Sequence, residues 1–441
     1  YVLGEDDFVL SPVGGGVSMH CFMGDEERPV RQVIRLESLG SVPDLSRYAA
    51  SFNASQQEYY VEVTDLMSSF PNIDDRLKDL STRLAAGDGP DIICFNGLDP
   101  LPYGRAGTLV DLYELIDSDP ELSREDFVAL GAFESGDELW SLAPSFTIST
   151  CVGLESVVGD GLGWTFEEYL TLRDSLEPGK KMFAITSPLV FVQNTLDGVL
   201  PELIDYETAS CSFTDGRFEE YLRLASGLET ADETDWDSFD ARFASGEIVL
   251  NEQVLRNIYD LAASEEYYGQ ALTPIGWPSF DGSCGSRLLI TSDMGIVSTG
   301  NTDAAWKFLR FVLADEQMQF SIGLNSIPIS RKLIEEQLDA FQHPFSEIDP
   351  DTVEVSENGG FYSEGVYYDM EYDTSPLMSQ RQVNTVLQLL DSISCKYLSN
   401  AMVSQIVLEE ADVYFAGARS VEDTCAIIQD RASTYIAEQF G

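Results

Sequence analysis

The residue types that carry most enzyme chemistry are scarce in this sequence. Only two histidines, His20 and His343, occur among 441 residues. A histidine-based catalytic triad and a multi-histidine metal site are therefore almost excluded. The sequence contains neither a G-x-S-x-G nucleophile motif nor a Walker A phosphate-binding loop. We therefore predict no catalytic residues, no metal site and no cofactor.

Two stretches resemble ligand-binding loops without matching them. Residues 159–163 read G-x-G-x-G and lack the third-glycine register of a dinucleotide-binding loop, which predicts a turn. Asp117 and Asp119 have the spacing of calcium ligands in an EF-hand, but Leu122 occupies the position that requires glycine. We expect Ser123 to begin a helix there instead.

Aromatic residues beside polar ones are the most informative chemical feature. A flat ring can lie against the apolar face of a sugar while carboxylates and amides bind its hydroxyl groups. The 76 acidic residues also permit the paired carboxylates of a glycoside hydrolase, which only their separation in space would reveal. The residues predicted on this basis to bind ligand are Asn96, Phe146, Trp236, Trp277, Asp281 and Tyr367.

A repeated strand-helix pattern must position these side chains. Alternating or continuous apolar runs predict strands at 33–36, 61–63 and 91–95. Between them, apolar residues spaced as on one face of a helix predict amphipathic helices at 45–52 and 73–84. This order predicts an α/β fold with a mainly parallel sheet flanked by helices.

The carboxyl ends of such strands form the usual binding edge of an open α/β sheet, because loops and helix N-termini converge there. A further strand at 247–250 ends in the same way in the second half of the chain. Each residue at these ends could equally be an ordinary turn residue. The residues predicted on this basis are Ser38, Asp65, Asn96, Asn251 and Glu252.

Trp277 is the sharpest of these predictions. It lies in a stretch rich in glycine and proline, residues 274–283, where its ring has no helical stripe to join. We predict that the ring stacks on a sugar and that Asp281 accepts a hydrogen bond from a hydroxyl. Core packing is the alternative, since large aromatic residues dominate cores.

Charge and composition exclude several kinds of partner. The 76 acidic against 25 basic residues give a formal charge of −51, which repels phosphate backbones and anionic membrane surfaces. We therefore expect no nucleic-acid partner and, because like charges oppose self-association, a monomer. The hydrophobic fraction of 44% is typical of a globular chain, and the length favours two domains.

Cysteine usage and the chain ends give a further expectation. Seven cysteines are scattered singly without a CxxC pair, so we expect most of them to be free. No apolar run approaches the roughly 20 residues of a membrane helix. The chain begins at Tyr1, and we expect a longer precursor from which an export signal has been removed.

Several segments, in their order along the chain, resemble the extracellular solute-binding proteins of family 1, the sugar-binding lipoproteins of ABC importers. The resemblance extends over about residues 32–441. The segments that carry it are 83–93 (RLAAGDGPDII), 109–112 (LVDL), 138–146 (ELWSLAPSF), 163–169 (GWTFEEY), 303–312 (DAAWKFLRFV), 327–330 (IPIS) and 414–417 (YFAG).

This resemblance implies a two-lobed periplasmic-binding-protein fold of class II, with a sugar or oligosaccharide held between lobes that close on it. It implies that the chain is not an enzyme, that permease subunits of an ABC importer are its partners, and that the precursor is extracellular and lipid-anchored, although residues 1–30 contain no lipobox. Alternatives are a cationic or peptide-like solute and a carbohydrate-active enzyme. The expected division is an N-terminal extension at 1–30, a first lobe at 31–148 with 285–325, and a second lobe at 149–284 with 326–441.

Overall fold

The computed structural model describes most of the chain, with several gaps. The described residues are 7–10, 18–21, 30–206, 208–228, 230–232, 236–283, 285–323, 326–343, 354–355, 360–363, 366–369, 377–397 and 401–440.

Strands and helices alternate along the described ranges. The strands are β1 (Asp7–Leu10), β2 (Ser18–Cys21), β3 (Gln32–Ser38), β4 (Tyr59–Asp65), β5 (Ile92–Cys94), β6 (Glu134–Ser135), β7 (Glu138–Leu139), β8 (Ser145–Leu154), β9 (Ile185–Thr186), β10 (Ile204–Asp205), β11 (Ser210–Cys211), β12 (Ala231–Asp232), β13 (Leu250–Leu255), β14 (Leu272–Thr273), β15 (Arg287–Leu289), β16 (Met294–Ile296), β17 (Ile327–Pro328), β18 (Glu354–Val355), β19 (Gly360–Ser363) and β20 (Val366–Asp369). The α-helices are α1 (Pro43–Ser55), α2 (Leu66–Ser69), α3 (Ile73–Ala86), α4 (Leu101–Arg105), α5 (Leu112–Ser118), α6 (Glu155–Val158), α7 (Phe166–Ser175), α8 (Pro188–Thr195), α9 (Arg217–Ser226), α10 (Trp236–Ala244), α11 (Asp260–Tyr268), α12 (Thr302–Ala314), α13 (Glu316–Gly323), α14 (Arg331–Ala340), α15 (Gln380–Ser392), α16 (Ala401–Phe415) and α17 (Val421–Phe440).

The first sheet has the order β16-β5-β3-β4. β3 is parallel to both β4 and β5, and β16 is antiparallel to β5. The predicted strand-helix alternation between residues 33 and 95 is therefore confirmed. Ile92 and Ile93 of β5 belong to hydrophobic clusters on opposite faces of the sheet, so side chains from the flanking helices cover both faces.

Two of the predicted helices, α1 and α3, form as the local sequence indicates. The apolar stripe of α1 through Leu45, Tyr48, Ala49 and Phe52 is buried. Helix α3 ends at Gly87, which has a left-handed backbone conformation with a φ of 74°. The Gly87 N–H donates to carbonyls of the last helical turn, as is usual for a glycine that ends a helix. The chain then returns directly to the sheet as β5.

The second sheet is arranged around the long strand β8. β13 and β14 flank β8, β15 and β17 pair with its earlier part, and each of these strands is antiparallel to it. The α/β class is confirmed, but the predicted mainly parallel character does not extend to this sheet. The physical reason is an insertion: β13 and β14 are parallel to each other and are connected through α11, and β8 lies between them.

Strand β8 also joins two hydrophobic cores. Phe146 and Ile148 pack in the first core, with the helices of the first sheet, whereas Cys151 packs in the second core. The second core also contains Val407 of α16 and Ile436 of α17. The chain therefore crosses between two separately packed lobes within one strand.

The predicted lobe boundaries stay a prediction. The packing of helices α14 and α15 indicates where the second boundary lies. The expected second lobe included residues 326–441. Ile334 of α14 and Leu389 of α15 nevertheless belong to the first core, while α16 and α17 belong to the second. We propose on this packing that the chain joins the second lobe only after α15. The predicted extension at 1–30 contains the antiparallel hairpin of β1 and β2.

Cysteines and helix lengths complete the description. Cys94, Cys151, Cys211 and Cys425 are free, and Cys395 is disulfide-bonded. Within the described ranges no helix combines the length and the apolar character needed to cross a membrane.

Candidate functional site

A cavity of about 810 Å³, here called the first cavity, lies at the carboxyl edge of the first sheet. It is formed where α1, the loop after β5, the start of β8, the loop after β15 and the start of α16 meet. Its lining residues are Asp44, Arg47, Tyr48, Asn96, Gly97, Leu98, Ser145, Phe146, Thr147, Leu289, Ile290, Thr291, Ser292, Ile322, Ser326, Tyr397 and Ala401.

A second cavity of about 610 Å³ adjoins the first, because Leu98 and Ala401 line both. Its walls come from α3, α4 and the residues after them on the first lobe, and from α16 and α17 on the second lobe. The two cavities therefore form adjoining parts of one cleft between the lobes. Its lining residues are Leu77, Ser81, Leu84, Ala85, Leu98, Asp99, Pro102, Tyr103, Ala106, Gly107, Thr108, Ser298, Thr299, Ala401, Met402 and Tyr435.

Hydroxyl groups and an ion pair make the first cavity polar. The buried Tyr48 hydroxyl interacts with the hydroxyls of Ser145 and Ser292. Burial, reinforced by the Asp44 carboxylate, raises the pKa of Tyr48 to about 12. The phenol therefore keeps its proton at neutral pH. Asp44 and Arg47 form a half-exposed ion pair at 3.1 Å. These groups suit a ligand rich in hydroxyls.

Asn96 has an unusual backbone conformation at this site. Its φ is 52°, in the left-handed region that few residues other than glycine adopt. Its side chain packs against Gly40, where a Cβ atom would lie 1.8 Å from the Asn96 Nδ2 atom. The loops after β3 and β5 thus meet, and Gly40 leaves the space that the Asn96 amide occupies.

Gly40→Ala is accordingly expected to displace the Asn96 side chain and to weaken ligand binding by about 1 to 3 kcal/mol while the fold is retained. The displaced group is the flexible end of a side chain, so the cost to stability is small. Calorimetry with a ligand that stabilises the unaltered protein measures the effect. Gly161→Ala is the matched control, because its Cβ would meet no atom within 4 Å. Equal affinity in both variants would remove Asn96 from the site.

Tyr397 is a cleft residue that the sequence did not reveal. Residues 395–397 lie beside β15: the Leu288 N–H donates to the Cys395 carbonyl at 3.1 Å and the Tyr397 N–H donates to the Leu288 carbonyl at 2.9 Å. The Tyr397 hydroxyl accepts a hydrogen bond from Gln193 in α8 at 3.2 Å. Its place in the cleft depends on a pairing between positions more than one hundred residues apart, for which a single sequence carries no signal.

Of the predicted site residues, Asn96 and Phe146 line the first cavity. Ser38 and Asp65 lie side by side at the carboxyl edge as expected, because their strands pair in register there. Their side chains are used locally: the Ser38 hydroxyl donates to the Gly40 carbonyl at 2.5 Å, and Asp65 accepts from the Met67 N–H at 2.8 Å as the N-cap of α2. Their contact with a ligand stays a prediction.

Asn251 and Glu252 lie inside β13 rather than after a strand, because this strand begins three residues later than expected and continues to Leu255. The Asn251 amide donates to the Tyr268 hydroxyl at 3.3 Å. Burial raises the pKa of the Glu252 carboxyl, and the positive charge of Arg287 opposes this shift. Neither residue lines the two cavities.

Trp277 and Asp281 are placed apart from the cleft. Trp277 is 2% exposed and stacks on Phe183 with ring centroids 4.9 Å apart. This placement supports the core-packing alternative. Asp281 closes its own turn by accepting hydrogen bonds from the N–H and hydroxyl of Ser283, and these bonds lower its pKa.

The remaining predicted residues, Trp236 and Tyr367, begin α10 and lie in β20, but their side chains are outside the described part of the structure. Within the described residues, no group of three or more His, Cys, Asp or Glu side chains is arranged to hold a metal ion.

The fold of this chain is similar to the folds of several solved structures. The sugar-binding protein MalE from Xanthomonas citri matches with a TM-score of 0.56 at 14% sequence identity, over 92% of this chain and 98% of that one. An extracellular solute-binding protein of family 1 from Alicyclobacillus acidocaldarius matches with a TM-score of 0.53 at 12% identity, over 92% and 98% of the two chains. An ABC substrate-binding protein from Listeria monocytogenes, solved with cycloalternan, matches with a TM-score of 0.51 at 14% identity, over 92% and 99%.

These likenesses span nearly the whole length of both chains in each comparison. The protein therefore has the two-lobed α/β fold of the MalE-like solute-binding proteins, as the sequence resemblance implied. The neighbours are binding proteins rather than enzymes. No protein-family model matches the sequence, and no curated protein matches it.

Proposed function

We propose that this chain is the solute-binding component of an ABC importer and that it holds a sugar or oligosaccharide in the cleft between its lobes. The observation that carries the proposal is the cleft itself: cavities of about 810 and 610 Å³ lie where the two lobes face each other, in a fold shared with sugar-binding proteins. The volume of each cavity is in the range that encloses a small organic ligand.

The lining of the first cavity supports a carbohydrate. The half-buried Tyr397 ring lies among serine and threonine hydroxyls, the Asn96 amide and the pair of Asp44 and Arg47. Rings can cover the apolar faces of a sugar, and the polar groups can bind its hydroxyls.

The rest of the proposal follows from this role. The permease subunits of the importer are the proposed partners, and the precursor is proposed to be extracellular and lipid-anchored. The free protein is proposed to be a monomer, because the formal charge of −51 opposes association of identical copies. No catalytic step is proposed.

A thermal-shift screen against mono- and oligosaccharides tests the proposal. A ligand present at 100 times its dissociation constant adds about 2.7 kcal/mol to the free energy of unfolding, which gives a readily measured shift. Absence of stabilisation by every saccharide would refute the carbohydrate assignment.

Tyr397→Ala is expected to weaken binding of the saccharide found in this screen by about 1 to 3 kcal/mol, because it removes a ring that lines the first cavity. Tyr397→Phe is the matched control: it keeps the ring and loses only the hydroxyl that accepts from Gln193. Calorimetry on both variants separates stacking from the hydrogen bond. An unchanged affinity in Tyr397→Ala would place the ligand elsewhere.

A further inference from the structure

Two carboxylates that form no ion pair with a described residue lie at the boundary between the two cavities. Asp99 lines the second cavity, and its Oδ1 atom accepts from the Leu101 N–H at 3.0 Å. Asp293 is fully buried, and its Oδ1 atom accepts from the N–H of Gly97, a residue of the first cavity, at 3.1 Å. The Asp293 Oδ2 atom has no hydrogen-bond partner among the described residues. A buried negative charge in this state is costly unless a positive charge joins it.

Among the described residues, the charge of Lys396 acts on both carboxylates without forming an ion pair with either. Burial raises the pKa of Asp99 and of Asp293, and the charge of Lys396 opposes both shifts. The Lys396 ammonium lies 5.5 Å from the centre of the Phe133 ring and forms no ion pair with either carboxylate. The other titratable groups that interact with this pair are the Cys94 thiol and the Tyr435 hydroxyl, which carry no positive charge.

Two tyrosines share the second cavity with Asp99. Tyr103 belongs to α4 of the first lobe, and Tyr435 belongs to α17 of the second. Burial, followed by the charges of Asp99 and Tyr103, raises the pKa of Tyr435 to about 12, so these three side chains lie close enough to act on one another. A carboxylate next to neutral aromatic rings is the arrangement by which proteins bind ammonium groups.

We propose that the second cavity binds a positively charged amino group of the solute, held by the Asp99 carboxylate and the rings of Tyr103 and Tyr435, with Asp293 buried nearby. This inference rests on the proposed function and narrows its substrate class to saccharides that carry a free amino group. A neutral sugar would leave the Asp99 carboxylate with only the charge of Lys396 to oppose the effect of burial.

Matched ligands test the inference. Oligomers of glucosamine and of N-acetylglucosamine with equal numbers of rings differ at the amino group, and spermidine is an amine without a sugar ring. We expect the glucosamine oligomers to stabilise the protein in thermal-shift assays and to bind about tenfold tighter or more in calorimetry, as a charge-assisted hydrogen bond predicts.

Each outcome decides between the two proposals. If both oligomers bind equally, or the acetylated one binds more tightly, the amino-group inference is wrong and the proposed function stands. If spermidine alone binds, the amino-group subsite stands and the carbohydrate assignment is wrong. If none of these ligands or the screened saccharides stabilises the protein, both proposals are wrong.

Asp99→Asn removes the charge and can keep the hydrogen bond to Leu101. We expect it to lower the affinity for the glucosamine oligomer by about tenfold or more and to leave any binding of the acetylated oligomer unchanged. Asp315→Asn is the matched control, because Asp315 is also half-buried and accepts from one backbone N–H, that of Met318, at 2.9 Å. An equal loss for both oligomers would show that Asp99 only maintains the shape of the cleft, which would overturn the inference.

The pH dependence has a definite sign. Because burial raises the pKa of Asp99, the carboxyl takes up its proton at a higher pH than an ordinary aspartate does. Affinity for the glucosamine oligomer should therefore fall on acidification from neutral pH, while affinity for the acetylated oligomer does not. Parallel pH profiles for the two oligomers would contradict the proposed role of Asp99.

Discussion

Arg287→Leu is expected to lower the free energy of unfolding by about 3 to 5 kcal/mol, the usual cost of removing one partner of a buried ion pair. The Arg287 Nη1 atom lies 3.4 Å from the Asp197 Oδ2 atom, and both side chains are 1% exposed. The pair joins β15 to the second core through the turn at Leu196–Gly198. Urea denaturation followed by circular dichroism measures the change.

An exposed ion pair provides the control for this prediction. Arg217 lies 2.8 Å from Asp215 with both side chains one-third exposed or more, so Arg217→Leu should cost less than about 1 kcal/mol. A double variant with Asp197→Asn should lose less stability than the two single changes added together, since both changes act on the same ion pair. A loss below about 1 kcal/mol for Arg287→Leu alone would show that the pair contributes no more than a surface pair does.

Arg287 also contacts a residue that lines the cleft: its guanidinium lies 5.0 Å from the centre of the Tyr397 ring. Its Nε and Nη2 atoms are buried and have no hydrogen-bond partner in the described part of the chain. Loss of this residue should therefore disturb the position of Tyr397 as well as overall stability. Under conditions in which Arg287→Leu is still folded, it should bind the ligand more weakly than the unaltered protein does. The same direction of change is expected for Tyr397→Ala.

The first lobe was predictable because its signals are local. Leu45 and Phe52 reveal their helix by spacing alone, and Gly87 marks the end of the next helix. Asn96 could be placed at the binding edge since parallel strands that alternate with helices must end on the same side. None of these inferences needs a contact between distant parts of the chain.

Two features of the structure were missed because they depend on long-range pairing. β8 is inserted between β13 and β14, so a strand-helix alternation that predicts parallel neighbours gives an antiparallel sheet. Likewise, Tyr397 reaches the cleft only by pairing beside β15. Local spacing cannot report on either arrangement.

The loop of Trp277 was misleading for a different reason. Its glycines allow two chain segments to touch: Gly276 has a φ of 76°, and a Cβ atom there would lie 2.3 Å from the carbonyl carbon of Gly285. The Trp277 N–H donates to the Gly285 carbonyl at 2.8 Å. Glycine and proline here accompany tight packing of loops into the second core, whereas from the sequence they indicated an exposed loop at the ligand.

Trp277→Ala is therefore expected to lower the free energy of unfolding by about 3 to 5 kcal/mol, the usual cost of emptying a buried aromatic site. The ring stacks on Phe183 and meets Phe191 edge-on with centroids 6.5 Å apart, so the change leaves a cavity lined by aromatic side chains. Thermal and urea unfolding measure the loss. Ligand affinity of the fraction that remains folded should be unchanged, because the ring lines neither cavity of the cleft.

Trp277→Phe separates packing from any role of the indole nitrogen. The buried Nε1 atom has no hydrogen-bond partner among the described residues, so removing it relieves an unsatisfied donor while a ring remains to stack on Phe183. The loss should be below about 2 kcal/mol, since most of the buried area is kept. A Trp277→Ala variant with normal stability and weakened saccharide binding would instead place this ring at the ligand, as the sequence pattern alone had indicated.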